Sequence, residues 1–188
     1  MQDLTTPQAI PDAKYGNTAI LFHWLLAILI ISTWCFGVYM HELPFSPMRV
    51  KQFNWHKWAG ITILGLSALR LLWRLRHPPP ALPSHMSAWQ QSLSRMTHVA
   101  LYGLFFATPL AGWAYSSAAG FQVVLYGVLP LPDWVPISKD LADTLKGVHK
   151  FCSFSLAALV VLHIAAALKH QFIDHDALLR RMIPGRQG

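Results

Sequence analysis

Four apolar stretches, each about as long as a membrane-spanning helix, constrain the fold of this chain more than any other feature. They run approximately over Ala19–Met40, Trp55–Leu75, Val99–Ala118 and Val148–Leu168. A helix needs roughly 20 predominantly apolar residues to cross the hydrocarbon core of a bilayer. Hydrophobic residues make up 54% of the chain and charged residues only 12%, which favours a membrane protein over a soluble domain. The sequence therefore predicts an all-α membrane protein, in which four transmembrane helices form one up-and-down bundle and membrane lipid surrounds it.

The positive charges are unevenly distributed between these stretches. The segment between the second and third stretches and the tail of residues 169–188 are rich in basic residues, namely Arg70, Arg74, Arg76 and Arg95 in the former and Lys169, Arg180, Arg181 and Arg186 in the latter. The first loop and the loop of residues 120–147 mix both signs. Because basic segments stay in the cytoplasm, we expect both termini inside and residues 120–147 outside. The net charge of +7 reflects this asymmetry, and we expect no nucleic-acid partner.

Four histidines interrupt or border the apolar stretches: His23, His56, His149 and His163. Histidines inside a membrane are functional candidates, because a polar side chain in hydrocarbon is costly without a partner. His149 and His163 are fourteen residues apart in one stretch, which is close to four helical turns and roughly 21 Å along one face. Depth in the membrane then pairs His56 with His149 near the outer side and His23 with His163 near the inner side.

Two pairs of histidines at two depths predict two haem groups, each held between two imidazoles. Bis-histidine ligation is typical of low-spin b-type haem that transfers electrons. Covalent attachment of c-type haem is excluded because the chain has no C-x-x-C-H motif. Each of the four histidines is thus a candidate ligand of haem iron, and the fourth helix would serve both haems.

Two further histidines leave alternatives open at the inner side. His98 opens the third stretch at roughly the depth of His23 and His163, where it would replace one ligand, bind a haem propionate or contact a quinone. His170 follows His163 by two turns, and it either extends to the interface or contributes to a quinone site.

A different class of function is a haem-free, histidine-lined protein that transports a metal ion. Zinc requires its ligands to converge within a few ångströms, and the fourteen-residue gap keeps His149 and His163 from sharing one ion. The carboxylates of a di-iron bundle are also missing, since the sole glutamate is Glu42, in a loop. Two ring-shaped cofactors explain the pattern better than a single ion does.

Taken together, these residues resemble the bacterial cytochrome b561 family of four-helix dihaem membrane proteins. The resemblance extends from about Tyr15 to Met182. Its motifs are F-H-W at Phe22–Trp24, W-H-K-W-A-G at Trp55–Gly60, R-L-L-W-R-L at Arg70–Leu75, P-P-P at Pro78–Pro80, T-H-V-A-L-Y at Thr97–Tyr102, G-V-H-K at Gly147–Lys150 and L-H-I-A-A-A-L-K-H-Q-F-I-D at Leu162–Asp174. The combination is specific, whereas no single motif is. Matched to the family pattern, His56 and His149 are the outer haem ligands, and His23 and His163 the inner ones.

The resemblance also implies electron exchange with ubiquinone in the bacterial inner membrane. Some family members are thought to oxidise superoxide at the outer face, which would make the chain a superoxide:ubiquinone oxidoreductase. The alternative donor is a separate periplasmic redox protein. No side chain is expected to act as a chemical catalyst; Lys57, Lys146 and Lys150 beside the outer ligands would attract an anionic donor, or merely balance haem propionates.

An inner quinone site would use some of His98, Arg74, Arg95, Lys169 and His170, and the sequence does not select among them. A chain of this size is able to form a homodimer, although no surface feature of the sequence predicts one.

Overall fold

The computed structural model describes residues 14–81, 86–176, 178–183 and 185, so Arg186 and part of the predicted tail lie outside the described residues. The described chain folds into four long helices: α1 (Asn17–His41), α2 (Pro47–Arg76), α3 (Ala88–Ala118) and α4 (Lys139–Phe172). A short 3₁₀ helix, Leu178–Met182, follows α4. Each long helix contains one of the four predicted apolar stretches.

Serine residues start three of the helices well before the apolar stretches begin. The Ser46 hydroxyl accepts a hydrogen bond from the Arg49 backbone N–H at 3.2 Å, directly before Pro47 at the first position of α2. Ser138 caps α4 in the same way. At α3, the side-chain oxygen of Gln90 accepts from the backbone N–H of the N-cap residue Ser87. These caps satisfy backbone groups that the first helical turn leaves free, so the helices extend beyond their apolar parts.

The helices pack mainly against their neighbours in the sequence, with α3 against α4, α1 against α2 and α2 against α3. All four contribute to one apolar core, whose buried members are Leu26, Ile30, Ile63, Leu101, Phe105 and Leu156. Many large apolar side chains instead point outward, including Leu21, Ile28, Leu69, Phe151 and Val161. An apolar exterior around an apolar core is typical of a bundle that lies in lipid.

Among the described residues, three helices are long and apolar enough to cross a membrane: α1, α2 and α4. Helix α3 is as long as its neighbours but is not among these three, and Pro109 lies inside it. The four helices and the membrane character of the bundle thus agree with the prediction. The crossing of the membrane by α3 remains a proposal.

The loop between α3 and α4, which is predicted to lie outside, departs from a purely helical fold. Val124–Leu125 and Leu129–Pro130 form a small antiparallel hairpin, in which Leu125 pairs with Leu129. Tyr126 and Gly127 both adopt positive φ at its turn, a conformation that glycine tolerates without strain. This hairpin was not predicted from the sequence.

The tail folds back across one end of the bundle. Trp24 in α1 donates from its indole Nε1 to the backbone oxygen of Met182 at 2.7 Å. The Arg181 guanidinium donates to the backbone oxygen of Ala81, in the loop between α2 and α3, at 2.8 Å. The start of α1, this loop and the tail therefore lie at the same end of the bundle, which is the end predicted to be cytoplasmic.

Candidate functional site

The outer pair of predicted ligands meets between α2 and α4. The imidazole rings of His56 and His149 have centroids 6.2 Å apart and are nearly perpendicular, at 89°. The His149 Nδ1–H donates to the backbone oxygen of Thr108 in α3 at 2.8 Å. With Nδ1 occupied in this way, Nε2 of His149 is the nitrogen left to bind a metal.

The inner pair meets between α1 and α4 with the same spacing. His23 and His163 have ring centroids 6.2 Å apart at 60°. His98 of α3 joins them, with its ring centroid 5.5 Å from that of His163. Its Nδ1–H donates to the backbone oxygen of Ser94, one turn earlier in α3, at 2.7 Å. The inner site is therefore a group of three imidazoles rather than an isolated pair.

The spacing of each pair fits two imidazoles that bind one metal ion from opposite sides. A metal–imidazole bond is about 2 Å long and a ring nitrogen lies about 1.1 Å from its ring centroid, so such a pair has centroids about 6.2 Å apart. Both predicted pairs match this value, and the 5.5 Å between His98 and His163 falls short of it. By this geometry the residues present fit two bis-histidine haem groups.

Arg70, predicted only as one of the basic residues that set the orientation in the membrane, is a part of the inner site. Its guanidinium donates to His23 Nδ1 at 3.2 Å and lies over the ring of Tyr102, 5.5 Å from the centroid. Arg74, one turn further along α2, lies over the same ring at 5.6 Å. In the described part of the chain neither arginine forms an ion pair. Two adjacent cations without a carboxylate partner favour an anionic group at this place.

Of the five residues predicted for a quinone site, the structure brings Arg74 and His98 to the inner site. Arg95 is exposed and donates to the side chain of Gln91. Lys169 donates to Asp174 at 2.6 Å, which holds the pKa of that carboxyl below its usual value. His170 contacts the carboxylates of Asp174 and Asp176. Lys169 and His170 thus attach the tail to the end of α4.

The three predicted outer lysines have different environments. The Lys57 ammonium donates to the Ser116 hydroxyl at 3.0 Å and to the backbone oxygen of Phe121 at 3.4 Å. It therefore ties α2 to the end of α3 and the start of the outer loop. Lys146 and Lys150 are exposed on α4, and Lys150 borders a shallow apolar groove with Phe151 and Phe154.

A compact metal site does not form from the histidines between the helices. Within the described ranges, three potential ligand side chains converge at one place, the group of His170, Asp174 and Asp176 beyond the core of the bundle. There the Lys169 ammonium already supplies positive charge to Asp174. The geometry therefore gives no support to a single metal ion shared by His23, His56, His149 and His163.

Comparison with known proteins identifies the family of this chain. The family model of prokaryotic cytochrome b561 matches residues 14–185. Cytochrome b561 homolog 2 of Escherichia coli (strain K12) is 34% identical over 172 residues, covering 90% of this chain and 91% of that protein. The probable superoxide oxidase CybB of Yersinia pestis is 32% identical over 178 residues, covering 93% of this chain and 98% of that protein. Cytochrome b561 homolog 1 of E. coli (strain K12) is 27% identical over 179 residues, covering 93% of this chain and 99% of that protein. With its helical bundle and apolar exterior, the chain belongs to the prokaryotic cytochrome b561 family of bacterial membrane proteins, which bind b-type haem and transfer electrons.

Proposed function

We propose that this chain is a dihaem cytochrome that moves electrons across the inner membrane, from a donor at the outer face to ubiquinone. The proposal rests on one observation. His56 lies against His149 and His23 against His163, and in each pair the ring centroids are 6.2 Å apart. His56 and His149 would hold the outer haem, and His23 and His163 the inner one. A b-type haem, when bound, supplies a one-electron ferric–ferrous couple, and the protein supplies its ligands and its electrostatic surroundings.

Arg70 and Arg74 are the residues best suited to hold the propionates of the inner haem. Arginine only donates hydrogen bonds, so the contact with Arg70 requires His23 Nδ1 to accept and puts the proton on Nε2. Binding a metal through Nε2 would move that proton to Nδ1. Arg70 would then need another acceptor, and a carboxylate is the natural one for a half-buried guanidinium. Arg74 lies over the same Tyr102 ring and would share this role.

The proposal includes a membrane crossing by α3, which gives four transmembrane helices in all. Helix α3 packs against both α2 and α4 and contributes Leu101 and Phe105 to the common core. A helix enclosed by two membrane-spanning neighbours shares their depth. Its polar residues need not face lipid, because Ser116 and Ser117 are buried. We place the arginine-rich end, with both termini, in the cytoplasm.

Superoxide is the donor that we favour. Two superoxide anions would each lose one electron and leave as dioxygen, and one ubiquinone would take up the two electrons and two protons to give ubiquinol. The exposed ammonium groups of Lys146 and Lys150 would attract an anionic substrate to the outer end. A relative that shares 32% of its residues with this chain bears the name probable superoxide oxidase.

For ubiquinone we favour the inner end of the bundle, between α1, α2, α3 and the tail, where a cavity of about 30 Å³ would have to widen to admit the quinone ring. Its lining combines aromatic rings with arginine, and includes Tyr15, Trp73, Arg74, Tyr102 and Met182. The Tyr102 hydroxyl has no hydrogen-bond partner within the described structure, so it is available to a quinone carbonyl. The pocket borders Arg70 and thereby the inner imidazoles, which suits electron transfer from the inner haem.

The first experiment is the visible spectrum of the purified protein, oxidised and dithionite-reduced, with the haem quantified as its pyridine haemochrome. We expect two b-type haems per chain in a low-spin, six-coordinate state. One haem per chain would contradict the pairing of the histidines, and no haem would refute the proposal. Ubiquinone reduction driven by a superoxide-generating system then tests the donor. Reduction that requires an added periplasmic redox protein would replace superoxide by that protein.

A further inference from the structure

Two short segments with the same spacing face the outer imidazoles. Thr33 and Gly37 lie one turn apart in α1, and Thr108 and Gly112 lie one turn apart in α3. The α1 segment faces His56 of the neighbouring helix α2, and the α3 segment faces His149 of the neighbouring helix α4. The outer site is thus bordered by a Thr-x-x-x-Gly segment on each of its two sides.

The two glycines leave no room for a side chain. A Cβ atom on Gly37 would lie 2.9 Å from Cε1 of His56, and one on Gly112 would lie 2.9 Å from Cε1 of His149. Other glycines within the helices are unlike them. A Cβ on Gly65 or Gly103 would have no neighbour within 4 Å. Gly37 and Gly112 are therefore distinguished by the close approach of an imidazole to the backbone, and not by a general need for small residues in the helices.

The threonine of the α3 segment supplies a hydrogen-bond acceptor. In an α-helix the carbonyl of Thr108 points towards Gly112, the residue four positions later. With no Cβ at Gly112, the imidazole of His149 reaches this carbonyl and donates to it from Nδ1 at 2.8 Å. This bond fixes the ring so that Nε2 is directed away from α3. In α1 the backbone of Thr33 lies beside His56, although Nδ1 of His56 has no completed hydrogen bond in the described structure.

We infer that Thr33–Gly37 and Thr108–Gly112 are positioning segments, which hold the outer imidazoles against helix backbone and direct their Nε2 atoms towards a shared iron. This inference rests on the proposed function only in taking His56 and His149 as ligands. Within the described helices, the glycine contacts involve these two histidines and neither His23 nor His163. At the inner pair the neighbour of the imidazole is a side chain, the Arg70 guanidinium against His23, and not helix backbone. A methyl group added at either segment should therefore affect the outer haem selectively.

The test compares Gly37→Ala and Gly112→Ala with Gly65→Ala and Gly103→Ala. All four changes add one methyl group within a helix of the bundle, but only the first two place it against an imidazole. A free imidazole would rotate away from the methyl at little cost. An imidazole bound to iron is fixed, so its displacement weakens the iron–nitrogen bond. The two kinds of variant thus differ in haem binding even where their helix content is the same.

The readouts are haem per chain, the electron paramagnetic resonance signals of the ferric haems, and helix content by circular dichroism. We expect Gly37→Ala and Gly112→Ala to fall from two haems towards about one, and to lose the same ferric signal as His149→Ala. Gly65→Ala and Gly103→Ala should keep two haems. Unchanged haem content and signals in the first two variants, or equal losses in all four, would overturn the inference.

A double variant covers the case in which Gly112→Ala does not reach the membrane. In Gly112→Ala/His149→Ala the methyl has no imidazole to displace, so this protein should accumulate as well as His149→Ala alone. Failure of the double variant would also overturn the inference. If the unmodified protein binds only one haem, the proposed function is refuted but the inference about the two segments is not. The inference is then tested by whether Gly37→Ala and Gly112→Ala lose that one haem. A haem-free protein would refute both.

Discussion

Replacing Arg70 by glutamine tests whether the inner site carries a functional positive charge. Ferric haem bears one more positive charge than ferrous haem, so a nearby cation raises the reduction potential. The change Arg70→Gln removes that cation and keeps a shorter, neutral side chain that still forms hydrogen bonds. We therefore expect the potential of the inner haem to fall.

The magnitude follows from the contact between Arg70 and His23. The guanidinium lies 3.2 Å from His23 Nδ1, and the ring and a metal–nitrogen bond add about 4 Å, which gives about 7 Å to the iron. At an effective dielectric constant of about 20, two unit charges at about 7 Å interact by about 2.4 kcal/mol, or about 100 mV for a one-electron couple. A propionate paired with the guanidinium offsets part of this, so the expected decrease is about 50 to 100 mV.

A redox titration followed in the haem absorption bands measures this decrease. The matched control is Arg76→Gln, which removes an exposed charge from the last turn of the same helix and should shift the potential little because solvent screens it. No change in Arg70→Gln, an increase, or an equal shift in Arg76→Gln would refute the reasoning. A shift confined to the outer haem would show that the arginine belongs to the other site.

Three further outcomes follow from the contacts. His98→Ala should retain two haems while His163→Ala loses the inner one, because the 5.5 Å spacing of His98 and His163 is too short for a ligand pair; haem loss in His98→Ala would reverse that assignment. Lys150→Gln removes an exposed cation at the outer end and should lower the superoxide-dependent rate about two- to threefold at low salt. High salt should abolish this difference, and a loss of rate that does not depend on salt would contradict the prediction. Trp24→Phe removes the hydrogen bond to the Met182 backbone and should lower the free energy of unfolding by about 1 kcal/mol. If thermal melting and proteolysis of the tail were identical to those of the unmodified protein, the tail would not be held at this place.

Hydropathy was sufficient to predict the four helices but not their lengths. The apolar stretch at Val148–Leu168 lies within α4, which begins nine residues earlier at Lys139. The difference comes from a polar first part that Ser138 caps and that lies outside the expected hydrocarbon region. The hairpin formed by Val124–Leu125 and Leu129–Pro130 was missed for another reason. Its strands have two residues each, which is too short to produce an alternating pattern.

Spacing along the chain indicated which histidines share a depth, and the structure brings both of these pairs together. Their role as haem ligands remains a prediction. Arg70 could not be placed in the site from the sequence, because an arginine at the end of an apolar stretch has the same pattern whether it faces the interface or the bundle. Its contact with His23 depends on how α1 packs on α2. The close approach of Gly112 to His149 likewise depends on the packing of α3 on α4.

The two sites differ in charge, and this difference bears on the direction of electron flow. At the inner site Arg70 touches one imidazole directly, and Arg74 lies beside it. At the outer site the imidazole of His149 is bound to a neutral backbone carbonyl, and the Lys57 ammonium is directed to Ser116 and the loop. Cations stabilise the reduced haem next to them, so the inner haem should have the higher potential. Electrons would then move downhill from an outer donor to an inner acceptor. In the redox titration, the haem that His149→Ala removes should be the one with the lower potential; loss of the higher-potential haem would contradict this direction.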